Sequence, residues 1–252
     1  MLNEQFNIVK LFKSTFLPAA LIASLVSSCI STKKVESLFG YYRPIINYYP
    51  DSELKLDKLP FSVAIGEIKM DSLVRQKTTV TKKSGWIVPL ILVNVWESKK
   101  TCYQGISSYY TPIQNSFEYY LKKESERSGI FYLDSLDADY KLDIIIQKVE
   151  AYGQYKDFGF SFLNYALYYE GITGPAESAF VVTYQLKKKQ LVVRKETFMS
   201  SRKIDFDYYD NKNRKVLLKA YSVRMAEATS KNTKTVIEAI IVDLNSYFRS
   251  LN

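Results

Sequence analysis

The sequence predicts an α+β fold: a mixed, mostly antiparallel sheet with two or three helices packed mainly on one face. In several segments apolar and polar residues alternate with the period of a strand, whereas other stretches repeat apolar residues with the period of a helix. Along the chain the order is strands, helix, strands, helix. This order is typical of folds in which helices are segregated to one side of a sheet.

The first strands are predicted in the amino-terminal half of the chain. Phe61–Ile68 alternates apolar with small or polar residues, and Val74–Thr81 is a second candidate strand. Lys82–Gly85 is predicted to form a turn. The apolar, β-branched stretch Trp86–Trp96 predicts a strand that is covered on both faces, with Pro89 at a bulge or at the start of the strand.

The first helix is predicted to begin after Thr111, which is a suitable N-cap. Pro112 fits the first helical position, and Gln114 completes a capping box with Thr111. Gly129 supplies the left-handed residue that commonly ends a helix.

More strands follow this helix, and helical sequence closes the chain. Four strands are predicted, the last two as a hairpin across a lysine-rich turn: Ile130–Leu133, Lys141–Val149, Ala179–Leu186 and Leu191–Ser200. From about Lys215 onward the apolar residues take helical spacing. Asn232 or Thr233 is predicted to cap a further helix.

The amino terminus has the order of a bacterial lipoprotein signal. Lys10 and Lys13 precede the uncharged, mostly apolar stretch Ser14–Val26, and two serines then precede Cys29. The stretch is about thirteen residues long, whereas a helix needs roughly 20 to span a bilayer. The segment V-S-S-C resembles a lipobox, which implies that Cys29 becomes an acylated amino terminus carrying palmitate or a similar chain. An uncleaved anchor and a buried core helix are the alternatives.

This interpretation divides the chain into three parts. Residues 1–28 are predicted to be the signal peptide, residues 29–58 the lipidated amino terminus and a tether, and residues 59–252 a single periplasmic α+β domain. Isoleucine follows Cys29, where an aspartate would resemble an inner-membrane retention signal. We therefore expect a lipoprotein of the cell outer membrane that faces the periplasm.

The composition excludes several classes of function. The chain has no histidine, so Ser-His-Asp and Cys-His catalysis are excluded. Cys102 is the one thiol besides Cys29; it cannot build a zinc site alone, and we expect it to be buried and inert. We therefore predict a non-enzymatic protein without cofactor or metal. The net charge of +9 indicates anionic lipid or acidic protein surfaces, or solubility alone, rather than nucleic acid.

Two segments are candidates for an interaction surface. One is Trp86–Trp96. The other, Phe158–Tyr169, is preferred because its flanking glycines suggest a loop or short helix that projects. Exposed, either segment would exceed the apolar patch that a soluble monomer carries; buried, each would be core. The residues predicted to contact a partner or lipid are Phe158, Phe160, Phe162, Tyr165, Tyr168 and Tyr169.

The domain also resembles a known group. Val63-Ala64-Ile65 opens a strand, a helix runs from Asn115 to Gly129, Ala138–Leu142 starts a second strand, and Lys234–Leu251 is a terminal helix. With the lipobox, this order resembles auxiliary lipoproteins of ABC-type intermembrane transport systems and the lipopolysaccharide-assembly lipoprotein of the Gram-negative envelope.

The resemblance implies an accessory or assembly subunit in lipid or lipopolysaccharide transport. Its partners would be the bilayer, through acylated Cys29, and an envelope protein. A stand-alone lipid- or glycan-binding module, with a groove lined by tyrosines and lysines, is the alternative. A hydrolase built on carboxylates is a third hypothesis, and it would need two acidic side chains that converge in a pocket.

Overall fold

The structure, a computed structural model, describes residues 32–47, 59, 61–90, 92–128, 137–162, 165–205, 208–210 and 213–251. Within these residues, three α-helices and a seven-stranded sheet confirm the predicted α+β class. The elements in chain order are α1 (Thr32–Tyr41), β1 (Val63–Met70), β2 (Thr79–Leu90), β3 (Val93–Gln104), α2 (Ile113–Ser128), β4 (Tyr140–Phe162), β5 (Tyr165–Lys188), β6 (Leu191–Ile204), β7 (Tyr208–Asp210) and α3 (Arg214–Arg249).

Two long strands organise the sheet. β4 has 23 residues and β5 has 24, so each is long enough to pair with two shorter strands along its outer side. β1 and β3 share the outer side of β4, and β6 and β7 share that of β5. The order is β2-β3-β4-β5-β6, and only the β1–β4 pairing is parallel. We call the half of the sheet that holds the ends of the β2–β3 and β4–β5 hairpins the distal half.

The segment predicted as one strand, Trp86–Trp96, is divided between two strands. β2 ends at Leu90 and β3 begins at Val93, and these two residues form the last pair of the two strands. The predicted turn at Lys82–Gly85 is also wrong, because these residues lie within β2. The pairing with β3 shifts between Lys82 and Ser84, which leaves Lys83 as one extra residue in β2. A β-bulge accommodates such a residue without ending the strand.

The hairpin predicted around the lysine-rich turn is confirmed, but its first strand is far longer than predicted. Lys189 and Gln190 have φ angles of 46° and 76°, as a two-residue hairpin turn of the I′ type requires. β5 begins at Tyr165 rather than near Ala179. The segment Phe158–Tyr169 is therefore the end of a β-hairpin and not the predicted loop or short helix, because its residues continue the pairing of β4 with β5.

The helix predicted after Thr111 is confirmed as α2, but the two helices predicted at the carboxyl end form one helix of 36 residues, α3. Asn213 caps it by accepting hydrogen bonds from the backbone N–H groups of Lys215 and Val216. Asn232 does not begin a new helix. Its side chain donates to the carbonyl oxygen of Ser178 at 2.9 Å, so it fixes α3 to β5.

The described part of the predicted tether contains a helix. Val35 and Phe39 of α1 are buried in a cluster with residues of β2 and α3. The carboxylate of Glu36 accepts a hydrogen bond from the backbone N–H of Val80 at 3.1 Å. Residues 32–41 therefore pack on the folded domain, although residue 29 lies outside the described residues.

All three helices contribute to a core on one face of the sheet, which we call the covered face. In the other half of the sheet, which we call the proximal half, the rings of Phe117 on α2 and Phe180 on β5 stack with centroids 6.1 Å apart. In the distal half, Tyr155 on β4 packs with Leu217 and Tyr221 of α3. Full burial of each such side chain stabilises the fold by about 1.5–3 kcal/mol. The opposite side is the open face.

Candidate functional site

The open face of the distal half carries a continuous aromatic and apolar surface, which we call the aromatic end. Its side chains come from β2, β4 and β5, with β3 between them: Trp86, Val88, Phe158, Phe160, Phe162, Tyr165 and Tyr168. The register places Trp86 opposite Glu97 and Glu97 opposite Phe158, so these residues form one row across the sheet. Since side chains alternate between faces along a strand, the next rows on this face begin two residues nearer to the hairpin ends.

Ring contacts connect this surface across the strands. The centroids of Trp86 and Phe158 lie 6.5 Å apart in an edge arrangement, and those of Phe158 and Tyr168 lie 6.2 Å apart. The rings of Phe160 and Tyr168 stack at 5.7 Å. The Tyr168 hydroxyl donates to Glu170 Oε2 at 2.7 Å. Aromatic pairs at these distances contribute about 0.5–1.5 kcal/mol beyond their burial, which holds the surface in a defined shape.

The aromatic end is open to solvent although it is apolar. Tyr165 is 77% exposed, Val88 46%, Trp86 45% and Phe162 39%. Isolated exposed apolar residues are ordinary on a protein surface. A contiguous group at the ends of two neighbouring hairpins is not, and such patches commonly mark interaction sites.

Lysines border the aromatic end on the side toward the middle of the sheet. Lys99 Nζ and Lys156 Nζ lie 3.9 and 3.2 Å from the carboxylate of Glu97. Lys83 is also exposed, at the bulge of β2, whereas the register places Lys82 opposite the buried Lys100, on the covered side. Lys83, Lys99 and Lys156 thus stand against two acidic residues of this region, Glu97 and the partly buried Glu170, which leaves a small excess of positive charge at this border.

Of the six residues predicted as contacts, five lie on the open face and Tyr169 does not. The register places Tyr169 opposite Gly159 and Trp96, on the covered face. Its hydroxyl is hydrogen-bonded to that of Tyr155, and the guanidinium of Arg214 lies 4.1 Å from its ring centroid. Burial raises the pKa of Tyr169. This side chain connects β5 to the start of α3 and is not part of the contact surface.

The structure joins the two candidate segments into one surface. Trp86 and Val88 come from the first segment, and the phenylalanines and tyrosines come from the second. Trp96 belongs to the first segment but is buried on the covered face. Exposed and buried positions therefore both occur, one on each face of the same strands, and the contact role stays a prediction.

A buried ion pair lies beneath this region, and sequence reasoning missed it. Lys100 Nζ on β3 lies 2.6 Å from Asp157 Oδ1 on β4 and 2.7 Å from Ser98 Oγ. Both charged residues are essentially fully buried. The one available signal was an aspartate directly before the aromatic segment Phe158–Tyr169. No local pattern pairs it with a lysine 57 positions away.

The structure tests the prediction for one of the two cysteines. Cys102 is buried on the covered face, as predicted, and desolvation raises the pKa of its thiol to about 12. Cys29 lies outside the described residues, so its acylation stays a prediction.

The described part of the chain has other features that bear on function. No group of acidic or cysteine residues there could hold a metal ion. Among the described helices, none combines the length and the apolar character needed to cross a membrane. A cavity of about 420 Å³ lies between β6 and α3, and charged side chains such as Arg202, Glu227 and Lys231 line it.

Comparison with known proteins finds a likeness among solved structures. No family model matches the chain, and no curated protein matches it. Among solved structures, the chain is similar to the crystal structure of protein XCC0632 from Xanthomonas campestris, which carries the family designation DUF330. The TM-score is 0.43 and the sequence identity 12%, over 84% of this chain and 98% of that one. A likeness of this degree assigns no function.

Proposed function

We propose that this protein is a non-enzymatic lipoprotein of the bacterial envelope that acts by binding. Acylated Cys29 would hold it on the outer membrane, facing the periplasm. The domain would serve as an accessory or assembly subunit in lipid or lipopolysaccharide transport. The aromatic end is the surface through which it engages an apolar target.

The observation that carries this proposal is the exposure of the aromatic end. Tyr165 and Trp86 lie on the ends of adjacent hairpins and remain largely in contact with solvent. An exposed aromatic cluster is costly to solubility, and such clusters are enriched where proteins meet other surfaces. The absence of histidine from the sequence supports a binding role rather than acid–base catalysis at neutral pH.

Photo-crosslinking of the full chain in intact cells tests this function. A photoreactive phenylalanine analogue replaces Tyr165 at the aromatic end or, as the matched control, Met199, which is 77% exposed on β6. We expect the position of Tyr165 to capture subunits of a lipid or envelope transport system, or lipid itself. The position of Met199 should capture much less of either.

Two results would contradict the proposal. One is equal capture at both positions, which would indicate random collision. The other is a Cys29→Ser variant that is processed, acylated and fractionated like the parent chain, because the anchor would then not depend on this cysteine.

A further inference from the structure

We infer that the aromatic end contacts the lipid bilayer itself, entering the headgroup layer of a membrane that contains anionic lipid. This inference rests on the membrane anchor of the proposed function and deepens it by naming the target of this surface. Three independent observations support a bilayer as the occupant.

The first observation is the type and order of the side chains. Trp86, Tyr165 and Tyr168 join a large apolar ring to a polar atom, and such side chains prefer the layer between hydrocarbon and water. The apolar side chains of Phe162 and Val88 lie among them at the hairpin ends. The surface is therefore apolar at its extremity and mixed behind it, as an interfacial contact requires.

The second observation is the charge behind the aromatic rows. Lys99 and Lys156 flank Glu97, and Lys83 lies exposed at the bulge of β2. If the hairpin ends enter the headgroup layer, these ammonium groups lie on the water side of that layer, where they are exposed to the negative surface potential of the membrane. Juxtamembrane lysines are attracted to anionic lipid in this way.

The third observation is the direction from which the chain enters the domain. Gly40 of α1 lies beside Thr78, whereas Glu36 accepts a hydrogen bond from Val80 N–H. From its carboxyl end to its amino end, α1 therefore runs along β2 in the direction of the distal half. Thr32 is thus at the end of α1 that is nearer to the distal half. Cys29 precedes Thr32 by three residues, so their Cα atoms are at most about 11 Å apart. The amino-terminal end of α1, from which the chain continues to the predicted anchor, and the aromatic end are thus directed to the same half of the molecule.

The two natural tryptophans provide a direct test, since Trp86 is exposed and Trp96 is buried. The full chain, purified from the membrane fraction, is reconstituted in vesicles of phosphatidylethanolamine and phosphatidylglycerol. The acyl chains carry bromine either near the headgroup or near the chain end. The fluorescence of the parent minus that of Trp86→Phe gives the emission of Trp86 alone, without a change in the core.

A matched control places the exposed tryptophan elsewhere on the open face. The variant Trp86→Phe/Met199→Trp places the indole at a more exposed position of the open face, on β6 and away from the aromatic end. Flotation of the vesicles is measured in the same samples, so attachment and contact are read separately.

We expect the Trp86 component to shift to the blue and to lose most of its emission to bromine near the headgroup, but not in the Met199→Trp control. Vesicles without phosphatidylglycerol should show weaker quenching. If the protein floats and the Trp86 component is unquenched, the bilayer contact is overturned while the accessory function stands. Equal quenching at both positions overturns the assignment to the aromatic end. A protein that does not float overturns the anchor and the contact together.

Discussion

The ammonium group of Lys100 lies 2.6 Å from Oδ1 of Asp157, and the two side chains are 1% and 0% exposed on the covered face. They sit on adjacent strands of the distal half, directly beneath the aromatic end. Within the described residues, the other carboxylate oxygen of Asp157 is buried without a hydrogen-bond partner. Because desolvation of two charges offsets much of their attraction, such a pair fixes strand register more than it adds stability.

Removing one partner of this pair should be costly. Lys100→Met leaves the Asp157 carboxylate buried without its cation, and we expect the free energy of unfolding to fall by about 3–5 kcal/mol. The double variant Lys100→Met/Asp157→Leu should recover part of that loss. Denaturant titration of the parent, the two single variants Lys100→Met and Asp157→Leu, and the double variant measures the coupling.

An exposed pair gives the control for this experiment. Lys69 and Glu67 are 2.8 Å apart with both side chains 62% exposed, so Lys69→Met should leave the free energy of unfolding nearly unchanged. Strictly additive effects of the two buried substitutions would contradict the pairing.

Substitution by alanine should affect stability differently at two glycines of the distal half. A Cβ atom at Gly153 would lie 1.8 Å from the Tyr221 hydroxyl and 2.6 Å from the Pro175 carbonyl oxygen. At Gly174 the nearest atom would be 3.4 Å away, an ordinary contact. We expect Gly153→Ala to destabilise the protein by about 1–3 kcal/mol and Gly174→Ala to change little. Thermal unfolding measures both, and equal melting temperatures would count against the close approach of α3 to β4.

Asp139 should contribute to the loss of stability in acid. The backbone N–H of Ser62, at 3.0 Å, and its hydroxyl, at 2.8 Å, donate to the carboxylate and lower the pKa of Asp139. With the folded-state pKa below the unfolded value of about 3.9, the contribution is complete above that value. It is lost as the pH falls through the folded-state pKa.

The comparison of Asp139→Asn with the parent checks this dependence. The difference in unfolding free energy should be constant above about pH 5 and shrink in more acidic solution. Ser62→Ala keeps the backbone donor and should show a smaller effect of the same sign. A difference that grows in acid would refute the assignment.

The Cys102 thiol should be unreactive in the folded protein. Burial raises its pKa to about 12, so the thiolate that reacts with alkylating agents is scarce at neutral pH, and access is blocked as well. We expect labelling by iodoacetamide to follow global unfolding in denaturant. Met199→Cys, at an exposed position, should be labelled without denaturant. Rapid labelling of Cys102 in the native protein would disprove its burial.

The sequence was informative where structure is local. The α+β class followed from two periods of hydrophobicity, α2 from the Thr111 capping box, and the β5–β6 hairpin from a polar turn between alternating strands. Asn232 and Thr233 gave a misleading helix start. Asn232 bonds to Ser178 on β5, and the Thr233 hydroxyl donates to the Thr229 carbonyl one turn earlier within α3. Tertiary contacts therefore override a local capping signal.

The candidate site was predictable in part for the same reason. Alternation within Phe158–Tyr169 is visible in the sequence, but the bulge between Phe160 and Ser161 determines which face each tyrosine takes. The meeting of Trp86 with Phe158 requires the register of two further pairings through β3. No short-range pattern contains that information, because register depends on the whole sheet.

The charges on the outer strand β6 affect whether copies of the protein aggregate at high local concentration. In the part of the chain that is described, no strand pairs with the outer side of β6, and Leu191 and Val192 are exposed at its start. Cationic side chains recur along it: Arg194, Lys195, Arg202 and Lys203. Two copies brought edge to edge would oppose like charges, which discourages fibre growth by strand addition. The positive charges along β6 therefore disfavour edge-to-edge association of this sheet at high protein concentration.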